Sequence, residues 1–219
     1  MHVEESGATA AYRKRDWMRG LRSLVLPLGI LAVIVGGLWY WENRGGAGIV
    51  DDPRFGVVEL PAAKNPTDQP AVTEVGRAGP DFVLEAPQGG SLRLSDLQGQ
   101  PVVLNFWASW CGPCRAEIPE LVVAYETHRE AGLVILGIDL QEADSRVLEF
   151  ADEFGIQYPI VIDRDGEVAD AWRLGGPIEG IPSSYFLDAR GVIRALYYGP
   201  MTADQLEERL AEILPGEAS

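Results

Sequence analysis

The sequence predicts an α/β sandwich of three layers, preceded by one transmembrane helix. Strand and helix patterns alternate through the second half of the chain and end in a hairpin followed by a helix, which is typical of this fold class. Near the amino terminus, residues 23–41 contain no charged side chain. The chain has two cysteines, Cys111 and Cys114, placed where a strand pattern ends and a helical pattern begins.

The amino-terminal segments predict a membrane anchor. Residues 23–41, at about 1.5 Å per residue, span roughly 28 Å, which is close to the thickness of a hydrocarbon core. Five basic side chains lie in residues 1–22, whereas Arg44 is the only one in the ten residues after the apolar run. The positive-inside rule then places the amino terminus in the cytoplasm and the larger part of the chain outside it, on the periplasmic or extracytoplasmic side of the cell membrane. The alternative is a cleavable signal peptide, but the length of the run and its aromatic end, residues 39–41, favour a single-pass anchor that is retained.

Two further segments follow the predicted anchor. Residues 42–75 are rich in glycine, proline, alanine and aspartate without a sustained period, which predicts a flexible tether. Within it, the short apolar piece 55–58 could pair locally. Residues 76–215 are long enough for one domain with its own core. The formal net charge of the chain is −15, which argues against nucleic acid as a partner.

Hydrophobic periodicity and turn residues predict the elements of the domain. Apolar runs predict strands near 81–85, 102–107, 133–139, 159–162, 184–188 and 192–198. Apolar side chains at helical spacing predict helices near 112–129, 144–154, 166–173 and 202–213. The sequence Ala-Arg-Gly at 189–191 predicts the turn of a terminal hairpin.

The motif Trp110-Cys-Gly-Pro-Cys114 carries the predicted chemistry. Cys111 falls at the start of a helix, where unpaired N–H groups and the helix dipole favour a thiolate over a thiol. We predict that Cys111 attacks a partner disulfide and that Cys114, one turn into the helix, resolves the mixed disulfide. Pro113 lacks an N–H, a loss that is harmless in a first helical turn, and Gly112 lets a partner backbone approach.

Other interpretations of the motif fit less well. A zinc site needs two further ligands, and beyond the cysteines the chain offers imidazole groups at only His2 and His128. A purely structural disulfide would gain little, because the loop it closes is very short. We therefore predict a redox-active disulfide that needs no metal or other cofactor.

Several segments resemble the thioredoxin superfamily. Residues 103–119 look like its active-site segment, 79–84 and 94–99 like the amino-terminal hairpin of its redoxin-type members, and 180–188 like its cis-proline segment. The chain most resembles the membrane-anchored TlpA/ResA/CcmG-like branch. The resemblance implies a thioredoxin-like fold with an amino-terminal hairpin and a helix–strand insertion, which residues 144–162 would form.

The resemblance also assigns roles to single residues. It implies that Pro182 follows a cis peptide bond and that Ile181 presents its backbone to a substrate strand beside the dithiol. Glu117 matches an acidic residue of the ResA-like branch near the dithiol, and would relay protons to and from Cys114. Asn105 stands where cytoplasmic thioredoxins carry a buried aspartate, and its amide cannot titrate.

The function that this resemblance implies is thiol–disulfide oxidoreduction. The protein is expected to reduce protein disulfides such as that of apocytochrome c, in cytochrome c maturation, with a membrane thiol carrier of the CcdA/DsbD kind as electron donor. The alternatives are general disulfide reduction or isomerisation, reduction of a copper-assembly factor, thiol-dependent peroxidase activity, and a binding module that captures a partner strand. The sequence lacks the peroxiredoxin pattern Pro-x-x-x-Thr-x-x-Cys, which lowers the expectation of peroxide chemistry.

Overall fold

The computed structural model describes residues 55–172 and 180–215. Within these ranges the chain forms one mixed sheet of eight strands. In chain order the strands are β1 (Gly56–Val58), β2 (Asp81–Glu85), β3 (Ser91–Arg93), β4 (Val102–Trp107), β5 (Val134–Leu140), β6 (Ile160–Asp163), β7 (Ser183–Leu187) and β8 (Ile193–Tyr198). Their order across the sheet is β1-β2-β6-β5-β4-β7-β8, and β3 pairs with β2 outside this path.

Strand β4 lies at the centre of this sheet and leads directly to the two cysteines. It pairs in parallel with β5 and antiparallel with β7. All six of its residues are buried. A strand covered on both faces consists of a nearly continuous apolar run, which is the pattern that predicted it. Asn105 is the polar residue inside that run.

Helices cover the sheet and end at recognisable capping residues. In the described ranges they are α1 (Gly112–His128), α2 (Asp144–Phe154), α3 (Glu167–Ala171) and α4 (Ala203–Leu210), with short 3₁₀ segments at Ala62–Lys64, Leu94–Leu97 and Arg129–Ala131. Helix α4 begins with a capping box in which Thr202 and Gln205 bind each other's backbone N–H groups through their side chains. Helix α2 ends at Gly155, which adopts the left-handed conformation.

Alternation along the strands divides the core into two layers. On β4, Val103 and Trp107 belong to one cluster of buried side chains, which also includes residues of α1, α2 and α4. Leu104 and Phe106 belong to the other cluster. It also includes side chains of β2, Leu94 directly after β3, and Val168 of α3. Successive side chains of a strand point to opposite faces, so the two clusters are the two faces of the sheet. The three-layer arrangement predicted from the sequence is therefore present.

The carboxy-terminal part of the predicted tether, residues 55–75, is folded. Strand β1, inside the segment assigned to residues 42–75, pairs antiparallel with β2, with Gly56 opposite Val83. Farther along, the N–H of Gly76 donates to the carbonyl oxygen of Ile193 at 2.8 Å. Residues 55–75 thus belong to the fold rather than to a flexible linker. The expected local pairing of the apolar piece 55–58 is present as β1, but a three-residue strand is too short to show periodicity, so the sequence pattern did not assign the rest of this segment to the fold.

The predicted transmembrane segment, residues 23–41, lies outside the described residues, as do residues 1–22 and 42–54. Among the residues that the structure describes, no helix combines the length and apolar character needed to cross a bilayer.

Candidate active site

The two cysteines form a disulfide at the amino-terminal end of α1. Their Sγ atoms are 2.01 Å apart and their Cα atoms 5.2 Å apart. Cys111 is the N-cap residue, and its Sγ accepts the backbone N–H of Cys114 at 3.1 Å. Its carbonyl oxygen accepts the N–H of Arg115, also at 3.1 Å. Because the helix terminus carries partial positive charge, this position favours the thiolate of Cys111 once the disulfide is opened.

The two sulfurs differ in their access to solvent. Cys111 is 5% exposed, whereas Cys114 is fully buried. Gly112 and Pro113, between them, are exposed, and Trp110 is 69% exposed. A Cβ atom built at Gly112 would have no neighbour within 4 Å, so the surface beside Cys111 is open. A partner can therefore reach Cys111 from the side of this exposed segment, whereas Cys114 is enclosed.

The segment after residue 180 borders the disulfide. The peptide bond between Ile181 and Pro182 is cis, which confirms the prediction for this proline. The carbonyl oxygen of Ile181 lies 3.6 Å from Cys111 Sγ. Pro182 is buried and Ile181 is half-buried. The structure therefore brings the backbone of this segment to the more accessible sulfur.

Glu117 is buried one turn after Cys114, on the same side of α1. Its Oε1 accepts the side-chain N–H of Asn105 at 2.7 Å, and its Oε2 accepts the backbone N–H of Met201 at 3.0 Å. Burial raises the pKa of Glu117 from 4.5 to about 7, although the hydrogen bonds from Met201 and Asn105 oppose this rise. A carboxyl group with such a pKa can gain or lose a proton near neutral pH.

Sequence reasoning identified Glu117 but not the groups that hold it. Asn105 was recognised only as a residue that cannot titrate, whereas its amide is the donor to Glu117 and also donates to Ser184 Oγ at 3.0 Å. The amide Oδ1 of Asn105 has no hydrogen-bond partner among the described residues. The Met201 N–H comes from the loop before α4, far along the chain. Asn105 and Met201 are brought to Glu117 only by the fold. The available sequence signal was Asn105 itself, a polar residue inside an apolar strand.

A second pair of carboxyl groups, which sequence reasoning missed, contacts the residues before the motif. The Glu142 carboxylate accepts both the N–H and the hydroxyl of Ser109. The Oδ1 atom of Asp139, near the end of β5, accepts the N–H of Glu142 at 3.1 Å. The sequence gives no local signal for this arrangement, because Glu142 and Ser109 are 33 positions apart.

The environment separates the pKa values of this pair. Burial, together with the neighbouring Glu142 carboxylate, raises the pKa of Asp139 to about 8. Burial also acts to raise the pKa of Glu142, but the hydrogen bonds from Ser109 outweigh it and hold this pKa below its usual value. At neutral pH, Asp139 therefore keeps its proton while Glu142 is charged.

Comparison with known protein families identifies the family of this chain. The AhpC/TSA family matches residues 75–196, which is more than half of the chain. The chain belongs to the AhpC/TSA family. The match spans the dithiol and the Ile181–Pro182 segment.

Relatives of this AhpC/TSA-family chain share its fold and its chemistry. Thiol-disulfide oxidoreductase ResA from Oceanobacillus iheyensis is 37% identical over 155 residues, which cover 69% of this chain and 79% of the relative. ResA from Geobacillus kaustophilus is 38% identical over 149 residues, or 68% and 83%. A thiol:disulfide interchange protein of the thioredoxin family from Chlorobium tepidum has a TM-score of 0.57 at 27% identity, covering 68% of this chain and 99% of that one. The chain is therefore a thiol–disulfide oxidoreductase with a thioredoxin-like fold, and its substrates are protein disulfides.

Proposed function

We propose that this protein is a reductase of protein disulfides, tethered to the outer side of a cell membrane, with the disulfide of apocytochrome c as its substrate. The observation that carries the proposal is the placement of the dithiol. Cys111 caps a helix beside the Ile181 carbonyl oxygen, and Cys114 is buried behind it. In this arrangement only the Cys111 sulfur can form a bond with a partner protein, whereas Cys114 can react only with Cys111.

The proposed cycle transfers two electrons. The Cys111 thiolate attacks one sulfur of the substrate disulfide, forms a mixed disulfide and releases the other substrate sulfur as a thiolate. The Cys114 thiolate then attacks Cys111 Sγ, which releases the second substrate sulfur and closes the intramolecular disulfide. The substrate is reduced to two thiols and the enzyme is oxidised. A membrane thiol carrier of the CcdA/DsbD kind would reopen the disulfide, and no metal or other cofactor takes part.

Side chains around the dithiol support these steps. Glu117, with its pKa raised to about 7, would accept the proton of Cys114 before the resolving attack and return it when the dithiol is restored. Exposed Trp110 offers apolar contact to a partner next to Cys111, with Gly112 and Pro113 leaving room for its backbone. The backbone of Ile181 would pair with an extended substrate segment.

The membrane location rests on the sequence. The uncharged run 23–41 and the basic residues before it favour an amino terminus in the cytoplasm and an extracytoplasmic domain. Protease added to spheroplasts that express the full chain should digest the domain, whereas in inside-out membrane vesicles the domain should be protected. Recovery of the full chain in the soluble fraction would reject the anchor and leave the redox chemistry unaffected.

Trapping experiments test the reductase mechanism. We expect Cys111→Ser to abolish reduction of insulin disulfides, because the attacking sulfur is lost. Cys114→Ser should instead accumulate a mixed disulfide through Cys111, and in native membranes the captured protein identifies the substrate. Glu126→Gln, an exposed position on α1, is the control and should match the wild type. Full turnover by Cys114→Ser would contradict the two-cysteine cycle, and capture of proteins other than a c-type apocytochrome would reject that substrate.

Redox titration tests the direction of electron flow. A reductase should have a potential closer to the thioredoxin value of about −270 mV than to the strongly oxidising value of about −120 mV. The alternative, thiol-dependent peroxidase activity, predicts consumption of peroxide with a sulfenic acid at Cys111. Peroxide turnover in the absence of insulin reduction would favour the peroxidase.

A further inference from the structure

Ser109, two residues before Cys111, is held by polar contacts from three directions. Its N–H and its hydroxyl donate to the two carboxylate oxygens of Glu142, at 2.5 and 2.7 Å. Arg146 Nε donates to the Ser109 hydroxyl oxygen at 3.1 Å, and Arg115 Nη1 lies 3.5 Å from its carbonyl oxygen. Every polar group of this buried serine is therefore engaged, by side chains of α1, α2 and the loop after β5.

These contacts fix the turn that carries the attacking cysteine. The N–H of Cys111 donates to the carbonyl oxygen of Ala108 at 3.1 Å, so residues 108–111 form a turn with Ser109 as its second residue. A carboxylate that binds both polar hydrogens of one residue restrains its orientation as well as its position. The connection between β4 and α1 is thus attached to the end of the neighbouring strand β5 through Glu142.

We propose that Glu142 is a positioning residue for thiol–disulfide exchange, and that by binding Ser109 it holds Cys111 at the amino terminus of α1. The proposal rests on the proposed role of Cys111 as the attacking sulfur. Glu142 acts through Ser109 and does not touch the disulfide. Release of Ser109 would let the turn 108–111 move, and the Cys111 sulfur would then lose the N–H and dipole interactions that favour its thiolate.

Buried Asp139 behind Glu142 keeps this contact charged at neutral pH. Asp139 Oδ1 accepts the Glu142 N–H, and its Oδ2 has no hydrogen-bond partner in the described part of the chain. Arg164 is the cation that acts on Asp139, and Arg146 is the one that acts on Glu142. Because the pKa of Asp139 is about 8, this side chain is mainly protonated below that pH. The carboxylate that accepts the Ser109 hydrogen bonds is then the only negative charge of the Asp139–Glu142 pair. Above that pH a second negative charge appears beside Glu142, and the contact should weaken.

The experiment measures alkylation of Cys111 by iodoacetamide in the reduced full-length protein between pH 5 and 9. The variants are Glu142→Gln, which removes the charge, and Ser109→Ala, which removes the hydroxyl and keeps the charge of Glu142. Asp152→Asn, an exposed position on α2, is the control for loss of a negative charge. We expect both test variants to react about fivefold more slowly at pH 7, the effect of losing one hydrogen bond, with the profile shifted to higher pH. The control should follow the wild type.

Three outcomes would overturn the proposal. If Glu142 acts only through its charge, Glu142→Gln should react faster than the wild type and Ser109→Ala at the same rate, because removing a negative charge favours a thiolate. If the contact is merely structural, the melting temperatures should fall while the pH profiles coincide. Unchanged profiles and unchanged melting temperatures would show that the contact has no effect. Failure of the wild type to reduce insulin would reject the proposed function instead. The alkylation profiles would still test the role of Glu142, because they measure Cys111 reactivity directly.

Discussion

Replacing Glu117 by glutamine tests the most specific electrostatic feature of the site. Glutamine has nearly the same shape, and one of its side-chain atoms is still an acceptor for the Met201 N–H. The Oδ1 atom of Asn105, which has no hydrogen-bond partner within the described ranges, can accept from the new amide if the Asn105 side chain turns over. The substitution therefore removes the ionisable group with little change in packing.

The expected effect on stability follows from the pKa shift. One pKa unit corresponds to about 1.4 kcal/mol, so a rise from 4.5 to about 7 makes ionisation of Glu117 about 3 kcal/mol more costly in the folded protein than in the unfolded chain. The folded-state pKa is the higher one, so the contribution of Glu117 to stability is fully present below about pH 4.5 and is lost as the pH rises through about 7. Glutamine does not ionise, so the unfolding free energy of Glu117→Gln relative to wild type should increase by about 2–3 kcal/mol between pH 5 and pH 8.

Urea unfolding of the oxidised protein at pH 5, 6, 7 and 8 measures this difference. Glu126→Gln, which changes an exposed carboxyl group on the same helix, serves as the matched control and should show no such dependence. In the reduced protein, Glu117→Gln should also change the pH dependence of Cys114 reactivity. A constant difference between Glu117→Gln and wild type across this pH range would show that Glu117 has an ordinary pKa, and the proton-relay argument would fail with it.

Three further substitutions probe the packing around the site. Gly137→Ala places a Cβ atom 2.9 Å from Trp107 Nε1, and this overpacking should reduce the unfolding free energy by about 1–3 kcal/mol in urea titrations; an unchanged midpoint would contradict it. Thr202→Ala removes the hydroxyl of the capping box on α4 and should cost about 1 kcal/mol, whereas Thr202→Ser should restore most of it. Asn105→Asp replaces the donor to Glu117 by a second carboxyl group, so its destabilisation should be larger at pH 8 than at pH 5. Equal destabilisation at both pH values would argue against contact between the two side chains.

The secondary structure of the domain was predictable because its central elements follow local rules. The apolar run of β4 and the helical spacing of α1 place both cysteines, and α2 has the predicted bounds, 144–154. The turn at 189–191 is confirmed by Gly191, whose φ is 83°. For β1 the sequence indicated only that residues 55–58 could pair locally; it did not indicate the partner β2, because this pairing depends on tertiary contact. Short strands of this kind depend on tertiary contacts.

The environment of the dithiol was only partly predictable. The motif indicates which sulfur caps the helix, since the spacing alone places Cys111 at its start. The pKa of Glu117 depends instead on burial by surrounding elements and on a donor from β4, which no local pattern reveals. Glu142 gives the clearest example, because its partner Ser109 lies on a different strand connection. Residues whose function depends on a distant partner emerge only from the three-dimensional arrangement.

The hydrogen bond from Met201 to Glu117 has a practical consequence for fragments of this protein. The donor lies 84 positions after the acceptor, beyond the last strand of the sheet. A version shortened before residue 201 would retain all eight described strands yet leave the buried acid with a single donor, Asn105. Its proton affinity would rise, since the lost bond stabilised the charged form. Expression fragments and fusion junctions should therefore retain the carboxy-terminal helix, even where only the dithiol is of interest.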